Sequence, residues 1–255
     1  RTDRKCRFYS MNFDGLGIIE VDLDAPINPD KSLDWVNYPL GIIWAFEEKG
    51  MRCLSGFDIV YNGTIPNGSG LSSSASIEVL TGYVLKSLFG FEVTNQELAL
   101  IGQYSENRFN DVNCGIMDQF AIAMGRKDSA IFLDTSTLKF EYVPVRLDGV
   151  RLVIGNTNKK RGLGDSKYNE RRAECEKALE ILKDVCNVAT LGELDEEAFD
   201  SVSERIEDPV VRKRAKHAVY ENRRTIRAVK ALTGNDIKEF GELMNMHKVT
   251  FREQS

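Results

Sequence analysis

Pro66-Asn67-Gly68-Ser69-Gly70-Leu71-Ser72-Ser73-Ser74-Ala75 separates two segments of different periodicity. Before it, Phe57-Asp58-Ile59-Val60-Tyr61 alternates as a half-buried strand does. After it, Ile77, Leu80, Val84 and Leu88 recur at helical spacing as far as Gly90. The order is strand, glycine loop, helix. Gly68 and Gly70 permit backbone conformations that expose successive N–H groups, and the helix adds its own free N–H groups and positive dipole end. Such a loop suits a phosphate, and its serine hydroxyls suit either phosphate oxygens or a hard cation such as Mg²⁺.

Known phosphate loops divide on this segment. A Walker A loop needs G-x-x-x-x-G-K-S/T; Gly63 and Gly68 have the spacing, but Ser69 occupies the lysine position. The dinucleotide fingerprint G-x-G-x-x-G fits Gly68 and Gly70, finds Ser73 for its third glycine, and has Glu92 about twenty residues on as a ribose-binding acid. A protein-kinase loop lacks its H-R-D and D-F-G companions. A helix cap without a ligand is the plain structural alternative.

Outward from the loop, Arg7–Ser10 and 17–21 read as strands, and Leu33–Glu48 as a helix stopped by Gly50. Thr94 and Glu97 form a capping-box pattern opening a helix toward Glu106, and the loop 110–115 leads into a shorter helix. Three further runs, Ala130–Leu133, Phe140–Leu147 and Val150–Ile154, read as strands. From Ser166 to Met246 the pattern is helical, with breaks near 191–197 and Gly234. A domain change is expected near 158, giving domains 1–158 and 159–255.

The composition supports a globular chain: at 255 residues with 42% hydrophobic side chains it can bury a core, and a net charge of −5 argues against a dedicated nucleic-acid or membrane-surface protein. No apolar run approaches the roughly 18 residues of a membrane span. Five scattered cysteines without a C-x-x-C pair read as reduced thiols, and a cytoplasmic location is expected. The two histidines, His217 and His247, lack partners at metal-ligand spacing. The basic strip Arg212, Lys213, Arg214, Lys216, Arg223, Arg224, Arg227 and Lys230 is spread around a helix that carries the apolar stripe Val211, Ala215, Val219 and Ile226, so no nucleic-acid partner is expected.

The loop resembles the ATP-binding motif of the GHMP kinases, its triple serine that of the galactokinase family. Glu106-Asn107-Arg108-Phe109 with Cys114-Gly115-Ile116-Met117-Asp118-Gln119 is similar to a second signature of that family. Asn156-Thr157-Asn158 with Ser166-Lys167-Tyr168-Asn169-Glu170-Arg171-Arg172 and Cys175 resembles the segment opening its second domain. The resemblance runs from about Phe8 to His247. It implies an α+β GHMP kinase fold: an N-terminal domain like ribosomal protein S5 domain 2 and an α+β C-terminal domain, both incomplete here.

The implied reaction transfers the γ-phosphoryl of ATP to the anomeric hydroxyl of galactose, with ATP and Mg²⁺ as cofactors. By position, Asp118 is the catalytic carboxylate and a sugar contact, Glu106 and Ser74 hold Mg²⁺ with Ser73 as rival, and Tyr168 touches the sugar. Trp35 and Tyr38 stand near adenine, and Gly68, Ser69, Gly70, Leu71, Ser72, Ser73 and Ser74 surround the phosphates. Read without the family, Asp118 is a helix-start charge, Glu106 a solvated helix-end charge, and Tyr168 and Trp35 core residues. The chain departs from the family at Asn107, where His is common, at Asp111, where Gly is usual, and at Gly162 and Gly164, which replace bulkier residues. Asp111 is expected to redirect its loop or weaken nucleotide binding. A main sugar motif before Arg1 and a glycine loop after Ser255 are expected to be missing, leaving a fragment of little activity that self-associates through exposed edges. Two other functions stay open: a galactose- and ATP-binding regulator without turnover, and an NAD-dependent oxidoreductase.

Overall fold

A computed structural model describes residues 1–155 and 166–252, the side chains of 166, 167 and 247–252 excepted. Its internal contacts divide it into two units, one formed by Arg1–Gly125 with Ile154 and Gly155, the other by Arg126–Val153 with the helices from Ser166 onward. The domain boundary proposed near 158, Asn156-Thr157-Asn158, Gly162 and Gly164 lie outside the described residues.

In the first unit β1 (Lys5–Ser10) is the central strand of three. β2 (Ile19–Asp22) pairs with it antiparallel, Phe8 opposite Ile19, and β3 (Asp58–Tyr61) parallel, Phe8 opposite Ile59. Alternation along β1 buries Cys6, Phe8 and Ser10 and leaves Arg7 outside, where it and Lys5 meet Glu20 of β2. Arg4, just before β1, donates to the Cys53 and Leu23 carbonyls (both 2.9 Å), Asp24 (2.7 Å) and Glu47 (2.6 Å), tying the start of the central strand to the end of the following helix.

That helix, α1 (Asn37–Glu48), starts later than its apolar spacing suggests. Lys31–Val36 is a 3-10 segment broken at Asp34, whose φ of 48° is not helical. The Asn37 side chain holds the break, donating to the Asp30 and Asp34 carbonyls (2.7 and 3.0 Å) and accepting from the Asp30 N–H (3.0 Å). α1 packs with α2 (Ser73–Phe89) and α3 (Asn95–Arg108) over the sheet, in a core that includes Phe8, Leu40, Ile43, Phe46, Leu85, Leu98 and Ile101. α3 opens with the expected capping box, Glu97 N–H to Thr94 Oγ1 at 3.2 Å and Thr94 N–H to Glu97 Oε2 at 2.7 Å. α4 (Met117–Met124) follows.

α2 buries a different face from the one its leucines mark. Leu80 and Leu88 are exposed, while Ala75, Glu78, Val79, Thr81, Gly82 and Leu85 point inward. Close approach decides this: a Cβ on Gly82 would come within 2.9 Å of Leu98 Cδ2, and Thr81 Oγ1 bonds the buried Tyr61 hydroxyl at 2.7 Å. No strand follows α2, which leads directly into α3, so the β-α-β unit of the dinucleotide reading does not form, and Glu92 lies exposed in the connecting loop.

The second unit contains the antiparallel hairpin β4 (Ser129–Leu133) and β5 (Phe140–Pro144) and the helices α5 (Ser166–Cys186), α6 (Glu196–Val202), α7 (Pro209–Thr233) and α8 (Ile237–Arg252). The third expected strand, Val150–Ile154, is not one. It has no paired neighbour among the described residues, and Leu152, Val153 and Ile154 are exposed. The core joins Ala178 and Leu182 of α5, Phe199 of α6 and Val211, Ala215 and Val219 of α7. Guanidiniums of the basic strip bind within the unit: Arg212 to the Ile206 carbonyl, Arg214 to Glu174, Arg223 to the Leu194 and Glu193 carbonyls, and Arg227 to Glu196. No described helix is long and apolar enough to cross a membrane.

Gly41 of α1 meets α3 at its closest point, where an added Cβ would lie 2.3 Å from Ser105 Oγ and 2.9 Å from Phe109 Cδ1. Gly41→Ala should therefore lower stability by about 1–3 kcal/mol through overpacking, although alanine gains about 1 kcal/mol over glycine in an open helix. Urea unfolding followed by the fluorescence of Trp44, which stacks on Tyr104 beside this contact, measures it. Stability equal to or above the parent's would contradict the packing argument.

Candidate active site

The glycine loop is held by a few single contacts. Where β3 ends, Asn12 clamps Gly63 by two bonds, Nδ2 to the Gly63 carbonyl (2.7 Å) and Gly63 N–H to Oδ1 (2.8 Å). Inside the loop Ser69 Oγ donates to the Pro66 carbonyl at 2.7 Å. Gly68, Gly70 and Ser72 all have left-handed φ (66°, 78° and 60°), alternating with other conformations so that the chain curls. For Ser72 this costs of order 1 kcal/mol, because only glycine enters that region freely. Ser72 is also the N-cap of α2, and its side chain makes no capping bond. The first-turn N–H groups are thus not covered by the residue that usually covers them.

The loop opens on a cavity of about 590 Å³, within the usual size of small-molecule sites. Of the residues singled out in the sequence, Trp35, Tyr38, Gly68, Gly70, Ser72, Ser73, Ser74 and Asp118 line it; Ser69 and Leu71 do not. Trp35 is only 5% exposed, stacked on Phe13 (6.4 Å, 12°) and edge-on to Tyr61 (5.6 Å), so it is both a core residue and part of the cavity wall. Tyr168, on α5 in the other unit, is 49% exposed and not a core residue.

Behind the serines lies a group of acids. Asp118 stands in the first turn of α4, where the helix dipole favours a negative charge. Glu106 is not a solvated helix-end charge: it is 5% exposed, beside Ser74. Burial raises its carboxyl above the ordinary range, hydrogen bonding with Ser74 and Glu78 works the other way, and the charge of Asp118 adds to the rise. Glu78 has no exposure at all; burial and then the neighbouring Glu106 charge hold it well above the usual carboxylate range. Burial, followed by Glu106 and Glu78, also raises the Tyr38 phenol. Asp111 adopts the left-handed conformation itself, at φ 58°, so aspartate takes a backbone region that glycine adopts freely.

Among the described residues no group of three or more His, Cys, Asp or Glu side chains is arranged to hold a metal ion. The Ser74 hydroxyl beside the Glu106 carboxyl is instead a pair of hard oxygen donors. That suits Mg²⁺, which keeps few protein ligands and is carried mainly on phosphates.

Sequence reasoning missed Asn12, Phe13, Tyr61 and Glu78, and gave Gln119, quoted within a signature, no role of its own. Glu78 carried a signal, as the charged residue four places after Ser74 on a helix otherwise apolar at Ala75, Val79 and Leu85. The other four are ordinary residues whose roles arise only from tertiary contacts.

Residues 37–126 match the family described as GHMP kinases N terminal domain. The chain is 53% identical over 253 residues to the galactokinase of Clostridium beijerinckii and 49% identical over 253 residues to that of Bacillus subtilis. Each match takes in 99% of this chain. The chain spans 65% of the length of these curated relatives. The crystal structure of Lactococcus lactis galactokinase complexed with galactose superimposes with a TM-score of 0.94 at 45% identity, covering 100% of this chain and 65% of that one. Over nearly its whole length this chain is similar in sequence to galactokinases, and it has the GHMP kinase fold.

Proposed function

We propose that the protein to which this sequence belongs is a sugar 1-kinase of the galactokinase type, transferring the γ-phosphoryl group of ATP to the anomeric hydroxyl of galactose. The observation that carries this reading is the uncapped start of α2, curled by Gly68, Gly70 and Ser72, opening on a cavity that also holds Asp118. The similarity to galactokinases supplies the substrates.

Phosphoryl transfer asks the protein for position and charge more than for covalent chemistry. The N–H groups of the loop and of the first turn of α2 hold the phosphates, with the serine hydroxyls as further donors. The adenine lies toward Trp35 and Tyr38. Asp118, in the first turn of α4, orients the sugar hydroxyl and receives its proton. Ser74 and Glu106 are the residues that would hold Mg²⁺, which when bound neutralises charge on the phosphates. Tyr168 is assigned to the sugar by position in the family alone.

Gly70→Val tests the phosphate assignment. At φ 78° a branched side chain is strained, and it would project at the loop that approaches the nucleotide. ATP affinity, measured by calorimetry with Mg²⁺ present, should fall at least about tenfold, or roughly 1.4 kcal/mol; unchanged affinity would remove the loop from the site. Asp118→Asn tests the chemistry in the full-length protein. ADP release with galactose and MgATP should drop at least about a hundredfold while ATP affinity stays within about threefold. A rate near the parent's would make Asp118 structural, and a parent that binds ATP and galactose without turnover would return the regulator reading.

A further inference from the structure

We propose that Glu78 is a positioning residue of this site: its buried side chain locks α2, α3 and α4 together behind the cavity and holds Glu106 in register with Ser74. The inference rests on the proposed function, in which Ser74 and Glu106 face the metal on ATP.

Three pairs of residues meet at this junction. On α2, Glu78 follows Ser74 by four residues, so both side chains lie on one face, one turn apart. On α3, Glu106 follows Gly102 at the same spacing. On α4, Gln119 adjoins Asp118. Gln119 Nε2 donates to Glu78 Oε2 at 3.1 Å, and both residues are buried. Gly102 makes room for the pair: a Cβ there would stand 2.9 Å from Gln119 Cγ and 3.5 Å from Glu78 Oε2. The Glu78–Gln119 bond therefore lies against α3 one turn from Glu106, and it connects the helix that begins the phosphate loop's anion site to the helix that carries Asp118.

A structural role alone would not select these side chains. Glu78 sits among Ala75, Val79, Gly82 and Leu85, where an apolar residue would pack without the penalty of burying a carboxyl. Glu78 also hydrogen-bonds Glu106, which in turn bonds Ser74, so the network runs from Gln119 through Glu78 to the Ser74–Glu106 pair and does not end in the core. A direction-specific bond at this point fixes how far Glu106 stands from the serines, which apolar packing does not do.

The test compares the gain in ATP affinity on adding Mg²⁺, measured by calorimetry in Mg²⁺ and in EDTA, for the full-length parent, Glu78→Gln, Glu78→Leu and Gly102→Ala. Gln keeps the size and the acceptor oxygen and should keep the gain within about twofold. Leu removes the acceptor, and the alanine methyl displaces Gln119. Each should reduce the gain at least about fivefold while metal-free ATP affinity stays within about twofold. Gly102→Ala leaves Glu78 itself untouched and carries the test if Glu78→Leu does not fold. A full gain in both Glu78→Leu and Gly102→Ala, or an equal loss in Glu78→Gln and Glu78→Leu, overturns the inference alone. A parent whose ATP affinity ignores Mg²⁺ overturns the proposed function, and this inference with it.

Discussion

A carboxyl with no exposure to solvent, Glu78, stands where α2, α3 and α4 converge, and the geometry of the candidate site follows from how that burial is accommodated. Taking a carboxyl out of water costs several kcal/mol unless it is neutralised or bonded. Here burial and the adjacent Glu106 favour the protonated acid, Gln119 supplies a donor, and Gly102 leaves the space that donor needs. The result is a buried, hydrogen-bonded backing to the cavity. Ser74 and Asp118 face the cavity from two of the helices, and Glu106 lies on the third, behind Ser74.

The front of the site has the opposite character. The loop from Asn62 to Ser72 has almost no core of its own, and it is shaped by single contacts: the Asn12 clamp on Gly63, the Ser69 bond to Pro66, and the Tyr61–Thr81 bond that fixes where the loop leaves the sheet and where α2 turns its face. Ser72 carries backbone strain that a capping bond could have offset, and no such bond forms. Strain kept at a helix start with its N–H groups uncovered is what an anion site requires, because the ligand then supplies the missing partner.

Much of this was legible in the sequence because it is local. The strand, glycine loop and helix around Gly68, the Thr94–Glu97 capping box and the break at Gly234 depend on neighbours within a few residues and stand as expected, whereas the helical region is also interrupted between Val202 and Pro209, where no break was expected. What was not legible depends on distant partners. The leucine spacing of α2 marked the wrong face because Gly82 and Thr81, rather than Leu80 and Leu88, meet the core. Val150–Ile154 has the composition of a strand without a paired strand among the described residues. Glu106 looked like a surface charge because helix ends usually are exposed, and here α2 and α4 cover it. Asp111 takes the left-handed region, which aspartate tolerates better than most side chains.

The most direct measurement is a crystal structure of the protein grown with a non-hydrolysable ATP analogue and Mn²⁺, located by its anomalous signal as a stand-in for Mg²⁺. The account predicts the β- and γ-phosphates against the first-turn N–H groups of α2, the metal between the phosphates and the Ser74 and Glu106 oxygens, and Asp118 facing the γ-phosphate. Phosphates bound away from Gly68–Ser74, or a metal that touches neither Ser74 nor Glu106, would contradict it.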